Sequence, residues 1–187
     1  MTDAVAVEVL KRLTQAFADK VGVMTDTEYV LTKIRHITEW LCEKSASKPH
    51  LLIFGNAGSG KSTMAKALQE VLYSTKHGGK TRAISAKSIG DIYRKREESE
   101  SWQRINTDLT TILFIDDFGM EEDVISQYGN KAHPMAMLIH NRYERGLHTI
   151  ITTNLTAEEM AKKYDDRIMD RLNGFARLPY NHISFRR

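Results

Sequence analysis

The sequence predicts a three-layer α/β domain, with a central parallel sheet of five strands and helices on both faces. Two stretches carry that expectation. Leu51 to Thr63, LLIFGNAGSGKST, is a short unbroken apolar run that enters a glycine-rich turn and then a segment of helical periodicity. Thr111 to Phe118, TILFIDDF, is a second apolar run, and it ends in two carboxylates. Alternation of such runs with helical patterns places parallel strands side by side through right-handed crossovers. The Leu51 strand is expected in the middle of the sheet.

Composition bounds the classes that remain. The chain has 187 residues, enough for one domain with a full core, and 41% hydrophobic with 27% charged residues is an ordinary globular balance. A net charge of +3 is compatible with nucleic acid nearby but does not require it. The single cysteine, Cys42, rules out an internal disulfide and a cysteine-cluster zinc site, and suits a reduced, cytoplasmic setting. No apolar run approaches the roughly 18 residues of a membrane span. Asp3 and Glu8 interrupt the N-terminal apolar residues, so a signal peptide is not expected.

Residues 4 to 21 read as an amphipathic helix with Ala6, Leu10, Leu13 and Phe17 on one face. Thr25 or Asp26 is placed to cap a second helix, whose buried stripe is Val30, Ile34, Ile37 and Leu41, flanked by Trp40. Both helices pack on the core, or the first docks on a partner. Residues 45 to 49 read as a linker into the Leu51 strand.

Gly55 to Ser62 then fits G-x-x-x-x-G-K-[ST], a phosphate-binding loop. Its glycines let the backbone curl so that successive amides point at phosphate oxygens, and the helix that begins here adds the positive end of its dipole. Gly55, Asn56, Ala57, Gly58, Ser59, Gly60, Lys61, Ser62 and Thr63 are the candidate nucleotide-binding residues. Lys61 can reach the β- and γ-phosphates, and the Ser62 hydroxyl can ligate Mg2+. Met64, Leu68, Val71 and Leu72 hold helical spacing up to a break at Gly78-Gly79.

Thr81 to Ala86 is expected as a strand, and Ile89 to Arg96 as the start of a helix that Trp102 and Ile105 pack onto the sheet. Arg94-Lys95-Arg96 beside Glu97-Glu98 is a solvated helix face or a DNA-contacting one. Asp116 and Asp117 end the next strand at the carboxyl edge of the sheet, where open α/β sheets bind ligands. Asp116 is the Walker B candidate that holds Mg2+ together with Ser62, and Asp117 stands where a water-activating carboxylate would stand; the alternative is a pair that only caps the strand.

Residues 119 to 133 read as a polar, mobile loop, acidic at Glu121-Glu122-Asp123. Pro134 suits the first turn of a helix in which Met137, Leu138 and Tyr143 turn inward, Met135 and Met137 serve as core filler, and Gly146 ends the run. Arg142 and Arg145 are surface residues or face a neighbouring subunit. His148 to Thr153 is another buried strand. Asn154 at its end orients the attacking water or touches the γ-phosphate, or instead caps the next helix. Ala157 to Leu172 is expected as one helix carrying Arg167 and Arg171, which Asp165 and Asp166 can neutralise. HISF at 182 to 185 is expected as the last strand.

GNAGSGKS, LFIDDFG, NRYERGLHTIITTN, and YDDRIMDRL followed by SFRR together resemble the AAA+ ATPase domain of the bacterial DnaC/DnaI helicase loaders and their transposition relative IstB, over roughly residues 49 to 187. The resemblance implies a P-loop NTPase of AAA+ type, with ATP and Mg2+ as cofactors and Asn154 as sensor 1. It implies that Arg171, in the DRL run, is an arginine finger that reaches the nucleotide of the next subunit in a homo-oligomer. Single-stranded DNA and a replicative helicase or transposase are the partners it implies. Residues 1 to 48 are then a helical extension on a 49–187 core without an evident C-terminal helical lid, and Arg186 is a sensor 2 candidate. Asp117 stands where most AAA+ proteins have Glu and is shorter by one methylene, which points to slow hydrolysis. A nucleotide-gated adaptor that hydrolyses little is the alternative. A small-metabolite kinase is disfavoured, because no lid with paired arginines follows the Walker helix.

Overall fold

In a computed structural model, residues 3–21, 26–42, 49–74, 80–96, 100–127 and 130–181 are described. The expected breaks at Gly78-Gly79 and at 45–48, Glu97-Glu98, the strand at 182–185 and Arg186 lie outside those residues.

Two helices open the chain, α1 (Asp3–Val21) and α2 (Thr27–Cys42). Asp26, left-handed at φ 56°, starts α2 by accepting the Tyr29 amide on Oδ1 at 3.1 Å. The α/β core then runs β1 (His50–Gly55), α3 (Lys61–Ser74), β2 (Lys80–Ser85), α4 (Ile89–Arg94), α5 (Ser101–Asn106) and β3 (Thr111–Phe118). A small hairpin follows, β4 (Ile125–Gln127) and β5 (Asn130–Ala132), then α6 (Pro134–Glu144), β6 (Thr149–Thr153), α7 (Ala157–Lys163), α8 (Asp166–Asn173) and β7 (Ala176–Tyr180).

The central sheet has five parallel strands in the order β2-β3-β6-β1-β7. The phosphate-loop strand is therefore not in the middle: β6 is, between β1 and β3, and it carries the end of the TTN run to the acids of β3. Alternate residues face opposite layers. Leu51, Ile53, Phe114 and Ile150 pack with Leu13, Phe17, Ile34, Ile37, Met64 and Leu68 of the first three helices. Leu52, Leu113, Ile115 and Ile151 pack with Trp102, Leu138, Met160, Ile168 and Leu172 on the other face. Among the described residues, no helix is long and apolar enough to cross a membrane.

Three further expectations are corrected. Beside them, the fifth strand of the described sheet is β7, which the sequence reading did not name, an edge strand in which Pro179, lacking an amide hydrogen, is tolerated. Residues 119–133 are not simply a loop, because β4 and β5 pair from Ile125↔Ala132 to Gln127↔Asn130, with Ile125 buried. The helix expected over 157–172 breaks after Lys163: Tyr164 is extended, and Asp165 caps α8 by accepting the Ile168 amide at 2.9 Å. Met137 is 40% exposed, while Met135 and Leu138 fill the core in its place.

The larger surprise is Arg142, which is fully buried. Its Nε donates to Thr149 Oγ1 (2.9 Å), Nη1 to the Ile105 carbonyl (2.6 Å), and Nη2 to the Thr111 and His148 carbonyls (2.9 and 2.7 Å). One guanidinium thereby ties α5, α6 and the starts of β3 and β6 at the amino edge of the sheet. Burial lowers its pKa to about 10, where it is still charged at neutral pH.

Candidate nucleotide site

At the end of β1 the chain must pass close to β7. A Cβ on Gly55 (φ 140°) would lie 2.2 Å from the Tyr180 carbonyl oxygen, so only glycine fits. Gly58 and Gly60 are left-handed as well, and the loop curls tightly enough for the Ser59 amide and hydroxyl to reach the Asn56 carbonyl (3.3 and 2.7 Å). Lys61, 5% exposed, lies along its own loop and donates to the Gly55 and Asn56 carbonyls at 2.9 and 2.6 Å.

Ser62 and Asp116 are 54 positions apart in sequence and in contact in the fold: Ser62 Oγ donates to Asp116 Oδ1 at 2.7 Å. Thr152 donates to the same oxygen at 2.5 Å and accepts the Asp117 amide at 3.1 Å. Asp117 is left-handed at φ 57°. Its Oδ1 accepts from Asn154 Nδ2 at 3.3 Å. Thr153 Oγ1 completes the set by donating to the Phe118 carbonyl at 2.7 Å. Three consecutive residues at the end of β6 thus hold three consecutive residues at the end of β3. Asn154 does not cap α7; Thr156 and Glu159 form that capping box. A cavity of about 190 Å3 adjoins Ser62, Asp116 and Thr152.

Ser62, Asp116, Asp117 and Asn154 are therefore brought together, and Arg171 is not. Its guanidinium donates to Glu144 (2.8 Å) and Asp170 (3.2 Å) and lies 5.9 Å over the Tyr143 ring, which in turn stacks on His50 at the start of β1. That is the amino edge of the sheet, roughly 16 Å along β1 from the phosphate loop at 3.3 Å per residue. Its partners are Glu144 and Asp170, not the expected Asp165 or Asp166. At the end of α4, Arg94 pairs with Asp91 and Glu122, and in the turn after it Arg96 lies over the Tyr93 ring.

Sequence reasoning overlooked Thr152, because a threonine inside a β-run reads as strand propensity. It also overlooked Glu121, whose place in an acidic run reads as solvent. Among the described residues, no cluster of three or more His, Cys, Asp or Glu side chains is disposed to hold a metal.

The family model described as Novel STAND NTPase 3 matches residues 29–177. The chain belongs to that family. No curated protein matches it. Among solved structures, the chain of this STAND NTPase is similar to the DnaC helicase loader, at 21% identity over 91% of this chain and 99% of that one, with a TM-score of 0.65. It is similar to DnaI at 19% identity over 96% and 93%, with a TM-score of 0.63. It is also similar to AMPPCP-bound DnaA from Aquifex aeolicus at 14% identity over 84% of this chain, with a TM-score of 0.58, and there it spans about half (48%) of the other chain. The AAA+ type of P-loop fold, expected from the motifs, is the fold these structures share.

Proposed function

We propose that the chain is a Mg2+-dependent ATPase of the helicase-loader type, working in the cytoplasm. It would assemble with ATP between copies and act on single-stranded DNA or on a replication or transposition partner, with residues 1–48 as a helical extension on the 49–187 core. The observation that supports this reading best is the convergence of Ser62, Asp116, Asp117 and Asn154 beside the phosphate loop.

The donor set of one hydroxyl and one carboxylate suits a hard cation that keeps water and phosphate as its other ligands, and Ser62 and Asp116 would hold it. When bound, Mg2+ neutralises phosphate charge. The loop amides and Lys61 hold the phosphates. Asn154 fixes one oxygen of Asp117, whose carboxylate orients water and takes up its proton. Arg171, at the far edge of its own sheet, completes the site only across an interface.

ATP turnover measured against protein concentration, with and without single-stranded DNA, tests this. Specific activity that climbs with both is the expected result. A flat, near-zero rate with ATP still bound would instead support a nucleotide-gated adaptor, a reading favoured by the engagement of Arg171 with Glu144 in its own chain.

A further inference from the structure

Glu121 is only 6% exposed, although Glu122 and Asp123 beside it are solvent-facing. A buried carboxylate requires partners. Its Oε2 accepts the Gly119 amide at 2.9 Å, and its Oε1 accepts the Tyr164 hydroxyl. Lys163 reaches the Glu121 carbonyl at 3.4 Å and pairs with Asp123 at 2.5 Å. The Tyr164 ring stacks on Phe118 with centroids 4.6 Å apart.

The segment so held is the one that aims Asp117. Asp117 and Gly119 are both left-handed, at φ 57° and 104°, and the Met120 amide closes back on the Asp117 carbonyl at 3.1 Å. A non-glycine residue stays in that region only when its surroundings fix it. On the other side, a Cβ on Gly119 would lie 2.4 Å from Leu155 Cδ1, next to Asn154. The turn is wedged between the Glu121 carboxylate and Leu155.

We propose that Glu121 is a positioning residue for Asp117, and that Tyr164, at the corner between α7 and α8, fixes Glu121 in that role. The proposal rests on the reading of Asp117 as the water-orienting carboxylate. Because Asp165 caps α8 directly after Tyr164, the same corner starts the helix that carries Arg171.

The test uses Glu121→Ala, Glu121→Gln and Tyr164→Phe, each alone and combined with Asp117→Ala. Binding of a fluorescent ATP analogue is expected to stay within about twofold of wild type. Turnover is expected to fall about 100-fold in Glu121→Ala and about tenfold in Tyr164→Phe with KM unchanged, as for a misaimed group. Glu121→Gln should recover most of the loss, since its amide can accept from Gly119 and donate to the Tyr164 oxygen. In the Asp117→Ala background the Glu121 change should have no further effect. An equal loss in that background, or a lowered unfolding midpoint with turnover intact, overturns the proposal.

Hydrogen exchange of the Gly119 amide separates this from failure of the ATPase reading. Exchange should accelerate at least about tenfold in Glu121→Ala and more modestly in Tyr164→Phe. If wild type binds ATP without turnover, the ATPase reading fails; if Asp117→Ala leaves turnover unchanged, the reading of Asp117 as the water-orienting carboxylate fails; in either case the exchange result alone decides whether Glu121 holds the turn. Unchanged exchange at Gly119 overturns it.

Discussion

Thr152 and Asp116 share a hydrogen bond of 2.5 Å, and the same threonine oxygen takes the amide hydrogen of Asp117. A single hydroxyl therefore sets the side chain of one acid and the backbone of the other. Thr152→Val keeps the shape and removes both bonds. ATP turnover is expected to fall about 100-fold, the scale of a misplacement of about 1 Å, and Thr152→Ser should recover most of it. Steady-state kinetics on the two variants check this.

Arg142 makes the opposite kind of prediction. Arg142→Met preserves much of the volume but takes the guanidinium donors from the buried Ile105 and Thr111 carbonyls, while the His148 carbonyl keeps the Leu113 amide at 3.1 Å and the Thr149 hydroxyl keeps the Leu147 carbonyl at 2.8 Å. Buried acceptors without donors cost about 1–3 kcal/mol each before relaxation, so a loss of at least about 2 kcal/mol in unfolding free energy is expected. Urea titration should show a lower midpoint at unchanged slope, with nucleotide affinity retained in the folded fraction.

His50 gives the fold a dependence on pH. It is 2% exposed, stacked on both Tyr143 and Phe175 in a cluster of three rings, and its Nδ1 has no hydrogen-bond partner among the described residues. Burial, then the nearby His148 and Arg142, lower its pKa from 6.5 to about 4. The fold thus favours the neutral ring, while the unfolded chain takes up the proton first as pH falls. Stability from this group is full above about pH 6.5 and is lost between there and about pH 4, by at most ~3 kcal/mol. His148, also lowered by burial, adds to the slope in the same sense. His50→Gln should flatten the decline in denaturant midpoints measured over that range.

Arg171 and Glu144 bear on assembly. Arg171→Ala is expected to remove the dependence of specific activity on protein concentration. Glu144→Gln frees the guanidinium of a partly exposed ion pair worth at most about 1 kcal/mol, so the concentration of half-maximal turnover should fall by up to about fivefold. Turnover titrations of the two variants, run in parallel, read both effects; an unmoved midpoint in Glu144→Gln would show that the pair does not restrain Arg171.

What was legible in the sequence was local. The phosphate loop and the strand over Thr111–Phe118 declare themselves within a dozen residues, because an apolar run, glycines and paired acids follow one another directly. Asn154 was legible as the polar end of a buried strand. Arg142 was not, since a charged residue on a helix is almost always solvated, and the carbonyls that receive it belong to three distant segments that no side-chain pattern marks. Glu121 was hidden for the same reason, its partner Tyr164 being 43 positions away. The corner at Tyr164-Asp165 lacks glycine and proline, and only the capping role of Asp165 marks it.

β6 is five residues long, and its two ends answer to different demands. Thr149 anchors the buried guanidinium at one edge of the sheet, and Thr152 anchors the acids at the other. A screen that scores cellular abundance should single out the first threonine and pass over the second. A screen that scores growth under a need for the activity should flag both. The interval between the two phenotypes, three positions along one strand, is the distance over which this chain passes from being folded to being useful.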